Sequence, residues 1–246
     1  MNENFNLEDK NKHLIEGVRP IFACVGSFED FGIKDPYPKN GPGYQIDLKL
    51  KNPQFIDIDS SKEKLVENKL LNAGEKTYVI SEINDSDKFS KKFHRCTGLV
   101  VSGIDKITGK NISFVSHQDP FAFLLEDNKK FKKDIETRME EMKKRCKEGT
   151  VDAVVVGGIF YTDAELDNFQ VMETYKASID LLGKETSHIL GFEPAVINGP
   201  KTSRIIGDDI YYDNENRRLY FLRPKVNTDT KDFKPNEIQQ EEEKWK

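Results

Sequence analysis

Residues 94–120, HRCTGLVVSGIDKITGKNISFVSHQDP, have the pattern of two strands joined by one turn. Residues 99–101, together with Ile112, Phe114 and Val115, are the β-branched, aliphatic and aromatic side chains that favour strands. Between them, residues 105–109 have the Asp, Lys, Thr and Gly composition of a turn. The sequence therefore predicts a β-hairpin at this point.

The register of this hairpin decides which side chains meet across it. A hairpin folded symmetrically about Lys106 and Ile107 pairs residues whose numbers sum to 213, which places Cys96 directly opposite His117. Side chains opposite each other in an antiparallel pair have Cβ atoms roughly 4.5–5.5 Å apart. A thiol beside an imidazole can ionise to a thiolate, a nucleophile, while the imidazolium serves as general acid. A one-residue slip, or a bulge at Gly109, would put the two on opposite faces.

Strand and helix patterns alternate through the rest of the chain. Apolar residues at helical spacing predict one helix over residues 131–146, stopped by Gly149, and another over residues 166–182, capped by Thr162 or Asp163. A shorter helix is predicted over residues 62–71. Strands are predicted at residues 21–25, 44–50, 77–80, 151–156 and 193–197, and a second hairpin joins residues 210–212 to residues 219–222. The expected class is α/β of the α+β kind: layered mixed β-sheets with two main helices, rather than a doubly wound parallel sheet.

The length of 246 residues fits a single domain with short extensions. We expect residues 1–17 to form a mobile or loosely docked N-terminal arm and residues 18–224 to form one domain. Residues 26–43, rich in Gly and Pro, predict a long surface loop. Residues 225–246 are charged and polar with few apolar side chains, so this tail is expected to be disordered.

The net charge argues against nucleic-acid and membrane binding, and the cysteine content indicates the cellular compartment. The net charge is −5 at pH 7, so there is no basic field for nucleic acid or an anionic membrane. No apolar run approaches a membrane span, and residues 1–11 lack the pattern of a secretory signal. Three scattered cysteines with no CxxC pair fit a reducing compartment. We expect a soluble cytoplasmic protein, with signal-independent export left open.

The sequence lacks common cofactor-binding motifs, and its other cysteines and His94 have simpler structural interpretations. There is no GxGxxG, Walker A or EF-hand pattern, and we expect no cofactor. Cys24 and Cys146 fall on apolar stripes and are expected to be inert core thiols. His94 shares a strand face with Cys96 and could be a rival base or a metal ligand, although an exposed structural histidine is the commoner case.

Residues 94–120 resemble the nucleophile segment of the chemotaxis glutamine deamidases of the CheD family, in which a Cys opens a strand, a turn follows, and a His precedes a Pro. The run VDAVVVGGIFY, residues 151–161, is similar to that family's apolar strand ending in two glycines. A helix, a strand and a closing hairpin follow in the family's order, so the resemblance covers about residues 90–223. The cytotoxic necrotizing factor deamidase domain shares this fold, as do, more distantly, the YfiH-type zinc hydrolases.

This resemblance implies a cysteine hydrolase that deamidates glutamine in a protein substrate, with Cys96 as nucleophile and His117 as base. The family's upstream threonine has Ser90 as its counterpart, and the small residues before the nucleophile are replaced by Phe93, His94 and Arg95. Backbone N–H groups at Cys96 and Thr97 are the expected oxyanion donors. Three residues are candidates for the group that orients the imidazole: Ser90, Asn111 and Asp119.

Two other functions stay open on the sequence. The altered residues before Cys96 favour a catalytically inactive binding or scaffold protein of the same fold. A zinc-assisted small-molecule hydrolase would need His94, Cys96 and His117 to converge on one ion. The pH dependence of thiol labelling and a metal analysis would separate the three functions.

Overall fold

The structure describes most of the domain predicted for residues 18–224. A computed structural model describes residues 13–26, 31, 54–55, 78–93, 96–119, 128–157, 169–197 and 208–222. The predicted strand 44–50, the helix 62–71, the capping residues Thr162 and Asp163 and the tail 225–246 lie outside the described residues, as does nearly all of the loop 26–43.

Within the described residues, every predicted strand and helix is present in the predicted order, and two strands that were not predicted, at residues 54–55 and 88–93, are added. The strands are β1 Phe22–Gly26, β2 Gln54–Phe55, β3 Tyr78–Ile80, β4 Lys88–Phe93, β5 Thr97–Ile104, β6 Asn111–Gln118, β7 Asp152–Gly157, β8 Ala195–Ile197, β9 Asp208–Asp213 and β10 Arg218–Leu222. The helices are α1 Asn128–Arg145, between β6 and β7, and α2 Phe169–Leu190, between β7 and β8.

The strands form two sheets. The central sheet has the order β3-β6-β5-β7-β8, and the outer sheet has the order β1-β10-β9-β4-β2. Both sheets are mixed: β7 and β8 pair in parallel in the first, β1 and β10 as well as β2 and β4 in the second, and the remaining pairs are antiparallel. The expected class of mixed sheets with two main helices is therefore confirmed for the described part of the chain.

Alternation of side chains divides the core into layers. Leu99, Val101 and Phe114 face the helices and pack with Phe131 and Met139 of α1. On the other face of the central sheet, one core cluster joins it to the outer sheet. Its members from the central sheet include Val100, Val115 and Val154, and those from the outer sheet include Ile210, Tyr212 and Phe221. Helices, central sheet and outer sheet thus form three layers.

The predicted register of the first hairpin is wrong by two residues. His117 lies opposite Gly98, not opposite Cys96, and the numbers of paired residues sum to 215, as in the pair Val101 with Phe114. Because the shift is even, every side chain keeps its face. Cys96 therefore stays on the face of His117, diagonally across from it.

Asp105 sets this register. Its carboxylate accepts hydrogen bonds from the backbone N–H groups of Ile107 and Thr108, both at 2.8 Å. Its own N–H donates to the Lys110 carbonyl at 2.9 Å, and Gly109 takes a left-handed φ of 69°. The turn therefore spans residues 105–110 and is centred later than the symmetric prediction.

The segment that links the outer sheet to the hairpin was not predicted. Strand β4 pairs antiparallel with β9, and its register shifts between Ser90 and Phe93. Its sequence KFSKKF is half lysine, a composition that is unusual for a covered strand. Lys88 is nevertheless only 1% exposed, and its ammonium donates to Asn84 Oδ1 at 2.7 Å and to the Ser86 carbonyl.

The described end of the N-terminal arm contacts the domain. The Ile15 N–H donates to the Gly149 carbonyl at 2.8 Å, and the His13 ring stacks on Phe192 at 3.8 Å. Gly149 has a φ of 68°, and a Cβ there would meet Ile15 Cγ2 at 2.5 Å, so this position needs glycine. None of the described helices combines the length and apolar character needed to cross a bilayer.

Candidate active site

Cys96, His117 and Ser90 come from three elements that meet between the two sheets. Cys96 immediately precedes β5, and His117 is the penultimate residue of β6. Ser90 lies on β4 of the outer sheet, and its Oγ is 2.8 Å from His117 Nδ1. Of the three candidates for orienting the imidazole, Ser90 is thus hydrogen-bonded to it, whereas Asn111 lies at the opposite end of β6 and donates to the Glu215 carbonyl. Asp119 directly follows β6.

An aromatic ring covers the imidazole. Phe93 stacks on His117 with ring centroids 3.9 Å apart and an interplanar angle of 18°. The same ring lies over Gly98, where an added Cβ would meet Phe93 Cε1 at 2.9 Å and the Ser116 carbonyl oxygen at 2.6 Å. Glycine at position 98 therefore lets the ring reach the imidazole that lies across the strand pair.

All three candidate side chains are buried. Ser90 is fully enclosed, His117 is 1% exposed, and Cys96, at the edge of the inter-sheet core, is 9% exposed. Removal of water strengthens hydrogen bonds and charge interactions within such a site. Cys96 is the least enclosed of the three, and the ring of Phe93 covers the imidazole.

Thr97, the expected source of one backbone oxyanion donor, turns its side chain to the other face of the sheet. Its Oγ1 lies 2.5 Å from Ser178 Oγ of α2 and accepts a hydrogen bond from Gln118 Nε2 at 3.0 Å. Because neighbouring residues of a strand point to opposite faces, the Thr97 hydroxyl lies in the helix layer and not beside Cys96. The role proposed for Thr97 concerns its backbone alone.

These contacts belong to a series of hydrogen-bonded, buried side chains on the helix face of β5 and β6, which we call the buried polar chain. Ser116 Oγ donates to Gln118 Oε1 at 3.0 Å and accepts from the Leu99 N–H, also at 3.0 Å. The side chains of Thr97, Ser116, Gln118 and Ser178 are fully buried. The buried polar chain therefore links Thr97, which follows Cys96, to Gln118, which follows His117, and connects both to α2. Sequence reasoning did not find it. The available signal was the pair of polar residues at positions 116 and 118, on a strand face whose other members, Ile112 and Phe114, are apolar.

The other thiols are separate from this site. Cys146 is buried beneath Gly103, and burial raises its thiol pKa to about 11, as expected of an inert core thiol. Cys24 lies on β1 and is half-buried.

The described residues provide no evidence for the zinc-assisted hydrolase. His94 lies outside them, and among those described no three His, Cys, Asp or Glu side chains are grouped so as to hold a metal ion.

Comparison with known proteins adds no assignment. The chain matched neither a protein-family model nor a curated protein. The site is therefore defined by its geometry alone: a Cys, a His and a Ser lie between the two sheets of a three-layer α+β fold.

Proposed function

We propose that this chain is a cysteine hydrolase of the glutamine deamidase type, with Cys96 as nucleophile, His117 as acid and base, and Ser90 as the residue that orients the imidazole. The observation that carries the proposal is the hydrogen bond between Ser90 Oγ and His117 Nδ1 at 2.8 Å. It joins two residues from separate sheets that the resemblance implicates on sequence alone.

This hydrogen bond fixes the ring for proton transfer. When the imidazole is protonated, Nδ1–H donates to Ser90 Oγ, and Nε2 carries the proton exchanged with the thiol. Cys96 is a diagonal neighbour of His117, and such neighbours have Cα atoms about 7–8 Å apart, a gap that an extended thiol and imidazole can close.

The reaction proceeds in two balanced steps. The Cys96 thiolate attacks the carbonyl carbon of a glutamine carboxamide, and the tetrahedral intermediate collapses when the C–N bond breaks and imidazolium protonates the departing ammonia. Water then attacks the thioester while His117 takes its proton, and the thiolate leaves. The products are glutamate and ammonia, and no cofactor is required.

The buried polar chain supplies rigidity beneath these groups. Backbone N–H groups at Cys96 and Thr97 are the proposed oxyanion donors, each worth about 3 kcal/mol in the transition state. The hydrogen bonds of Thr97 to Ser178 and Gln118 hold this backbone against α2. Burying four polar side chains is costly unless all are satisfied, and here each has a partner.

An inactive scaffold is the second candidate function. His117 is 1% exposed and lies under the ring of Phe93, an arrangement that also suits a purely structural histidine. Under this alternative, the Ser90–His117 hydrogen bond serves only to satisfy a buried polar side chain.

Site-resolved thiol labelling separates these two functions. The full chain is treated with iodoacetamide across a pH series, and the modified cysteines are quantified by peptide mass spectrometry. A deamidase should show labelling of Cys96 that persists below the ordinary thiol pKa of about 8.5 and is lost in His117→Ala. Cys146 serves as the internal control for a buried, unactivated thiol. Labelling of Cys96 that follows an ordinary thiol titration in both proteins would exclude the hydrolase.

A further inference from the structure

A second polar cluster lies between the sheets, toward the turn end of the hairpin, and the proposed reaction does not use it. It consists of Arg217, Ser102, Ser113 and Tyr212, which we call the Arg217 cluster. All four are buried, including the arginine at 2% exposure. An arginine is almost never fully buried unless it is paired.

Arg217 is held in an unusual backbone conformation. Its φ is 53°, the left-handed region that a non-glycine residue rarely adopts. Its Nη2 donates to the carbonyls of Ser102 and Thr150, at 3.2 and 2.9 Å. Its Nε and Nη1 are also buried, and neither has an acceptor among the described residues. Part of the guanidinium's donor capacity is therefore unused inside the protein.

Three buried hydroxyls lie in the same part of the inter-sheet layer as Arg217. Ser102 and Ser113 are cross-strand partners of β5 and β6, on the same sheet face as Val100 and Val115. Tyr212 faces them from the outer sheet, close enough for the charge of Arg217 and the Ser102 hydroxyl to act on its pKa. Burial outweighs both and raises that pKa well above its ordinary value, so Tyr212 stays a neutral phenol. Within the described structure, the three hydroxyl oxygens have no hydrogen-bond partner of normal geometry.

Among the described residues, no carboxylate forms an ion pair with Arg217. Asp152, the acidic residue on the neighbouring strand, accepts hydrogen bonds from Ile21 N at 2.6 Å and Ala153 N at 2.9 Å, and its Oδ1 lies 3.1 Å from His13 Nε2. Both of its oxygens are thus bound to other groups. A buried charge without a direct partner is costly, which favours a bound counter-ion.

We propose that the Arg217 cluster binds a small anion of the halide class. The guanidinium can only donate hydrogen bonds, its buried Nε and Nη1 have no acceptor among the described residues, and each hydroxyl of the cluster can also donate one. A monatomic anion accepts several such bonds and supplies the missing negative charge. Enclosure between two packed sheets excludes larger anions such as gluconate.

Thermal unfolding of the full chain tests this site. Melting temperatures are compared in sodium chloride and in sodium gluconate at equal ionic strength. We expect saturating chloride to raise the melting temperature by about 2–4 °C, and the rise to follow chloride concentration as for a ligand of the folded state. Arg217→Met should abolish the difference between the two salts. Arg138→Met, at a part-exposed arginine of α1, should leave it intact.

A second measurement keeps the proposal testable if Arg217→Met fails to fold. Ser113→Ala removes one hydroxyl and leaves the arginine, and should weaken the dependence on chloride. A crystal of the unaltered protein soaked in bromide should show an anomalous peak within hydrogen-bond distance of Arg217 Nε or Nη1. Equal melting temperatures in the two salts, or water alone at this position, would overturn the proposal.

Discussion

The two faces of the hairpin β5–β6 carry polar side chains of different kinds. On the helix face, Ser116, Gln118, Thr97 and Ser178 form a linear series of hydrogen bonds in which every side chain has a partner. On the inter-sheet face, Cys96 and His117 are diagonal neighbours, offset by two residues, and Ser90 reaches the imidazole from the second sheet.

This difference would allow one strand pair to combine a rigid face with a reactive one. Because side chains alternate along a strand, residues 96 and 97, and residues 117 and 118, point to opposite layers. A hydrogen-bonded series on the helix face can hold the backbone while the proposed reactive groups occupy the inter-sheet face. Substitutions on one face at a time test this separation.

The largest effect is expected from removing the imidazole. If the inter-sheet face is the reactive one, His117→Ala should lower glutamine deamidation, measured as ammonia release, by about 10²–10⁴-fold, the usual contribution of a general acid–base group. His188→Ala, at an exposed histidine of α2, is the matched control and should keep its activity. Equal activity in the two variants would show that the inter-sheet histidine is structural.

Phe93→Ala should change stability and access in opposite senses. Phe93 is almost fully buried against His117 and Gly98, so its loss should lower the free energy of unfolding by about 3–5 kcal/mol, measured in urea. Labelling of Cys96 should become faster, because the ring no longer covers the imidazole. Slower labelling in a variant shown to be folded would contradict the role of Phe93 as a cover.

Lys88 should make the free energy of unfolding depend on pH. Burial lowers the pKa of its ammonium from 10.5 to about 8. Between those values the unfolded chain binds a proton that the folded chain does not, so stability should rise with pH, by on the order of 3 kcal/mol in total. Subtracting the pH profile of Lys88→Met isolates this contribution from that of the tyrosines. Parallel unfolding profiles for the two proteins would show that Lys88 stays charged when folded.

The helix face should respond more weakly. Thr97→Val keeps the side-chain shape but breaks the link between Gln118 and Ser178, which should cost about 1–3 kcal/mol in unfolding free energy. If the chain positions the backbone, kcat should fall while KM is nearly unchanged, and Thr97→Ser should restore it. Thr186→Val, at a buried threonine of α2 whose hydroxyl donates to Met139 Sδ, controls for the loss of a buried hydroxyl.

Ser90→Ala should have the smallest effect on rate. The imidazole loses the acceptor that fixes its Nδ1, and we expect about a tenfold lower kcat/KM, equivalent to about 1.4 kcal/mol. Ser90→Thr retains a hydroxyl and should retain most of the activity. A loss as large as that of His117→Ala would mean that Ser90 acts in the chemistry itself.

Much of the fold followed from local patterns. The hairpin, both long helices and the closing strands of residues 208–222 were predicted because apolar periodicity and turn residues are local signals. The helix α1 ends at Arg145, slightly before the predicted end, as is common for helix boundaries. Strand β4 was missed because burial of a lysine-rich segment depends on partners far away in the chain.

The mixed class, the alternation that puts Cys96 and His117 on one sheet face, and the buried position of Cys146 followed from the amino-acid sequence alone. The register, set by the carboxylate of Asp105, and the hydrogen bond of Ser90 to His117 became known only from the folded structure. The difference lies in the range of the forces. Propensity and periodicity act between near neighbours, whereas the packing of the outer sheet on the central one joins residues that no sequence spacing relates.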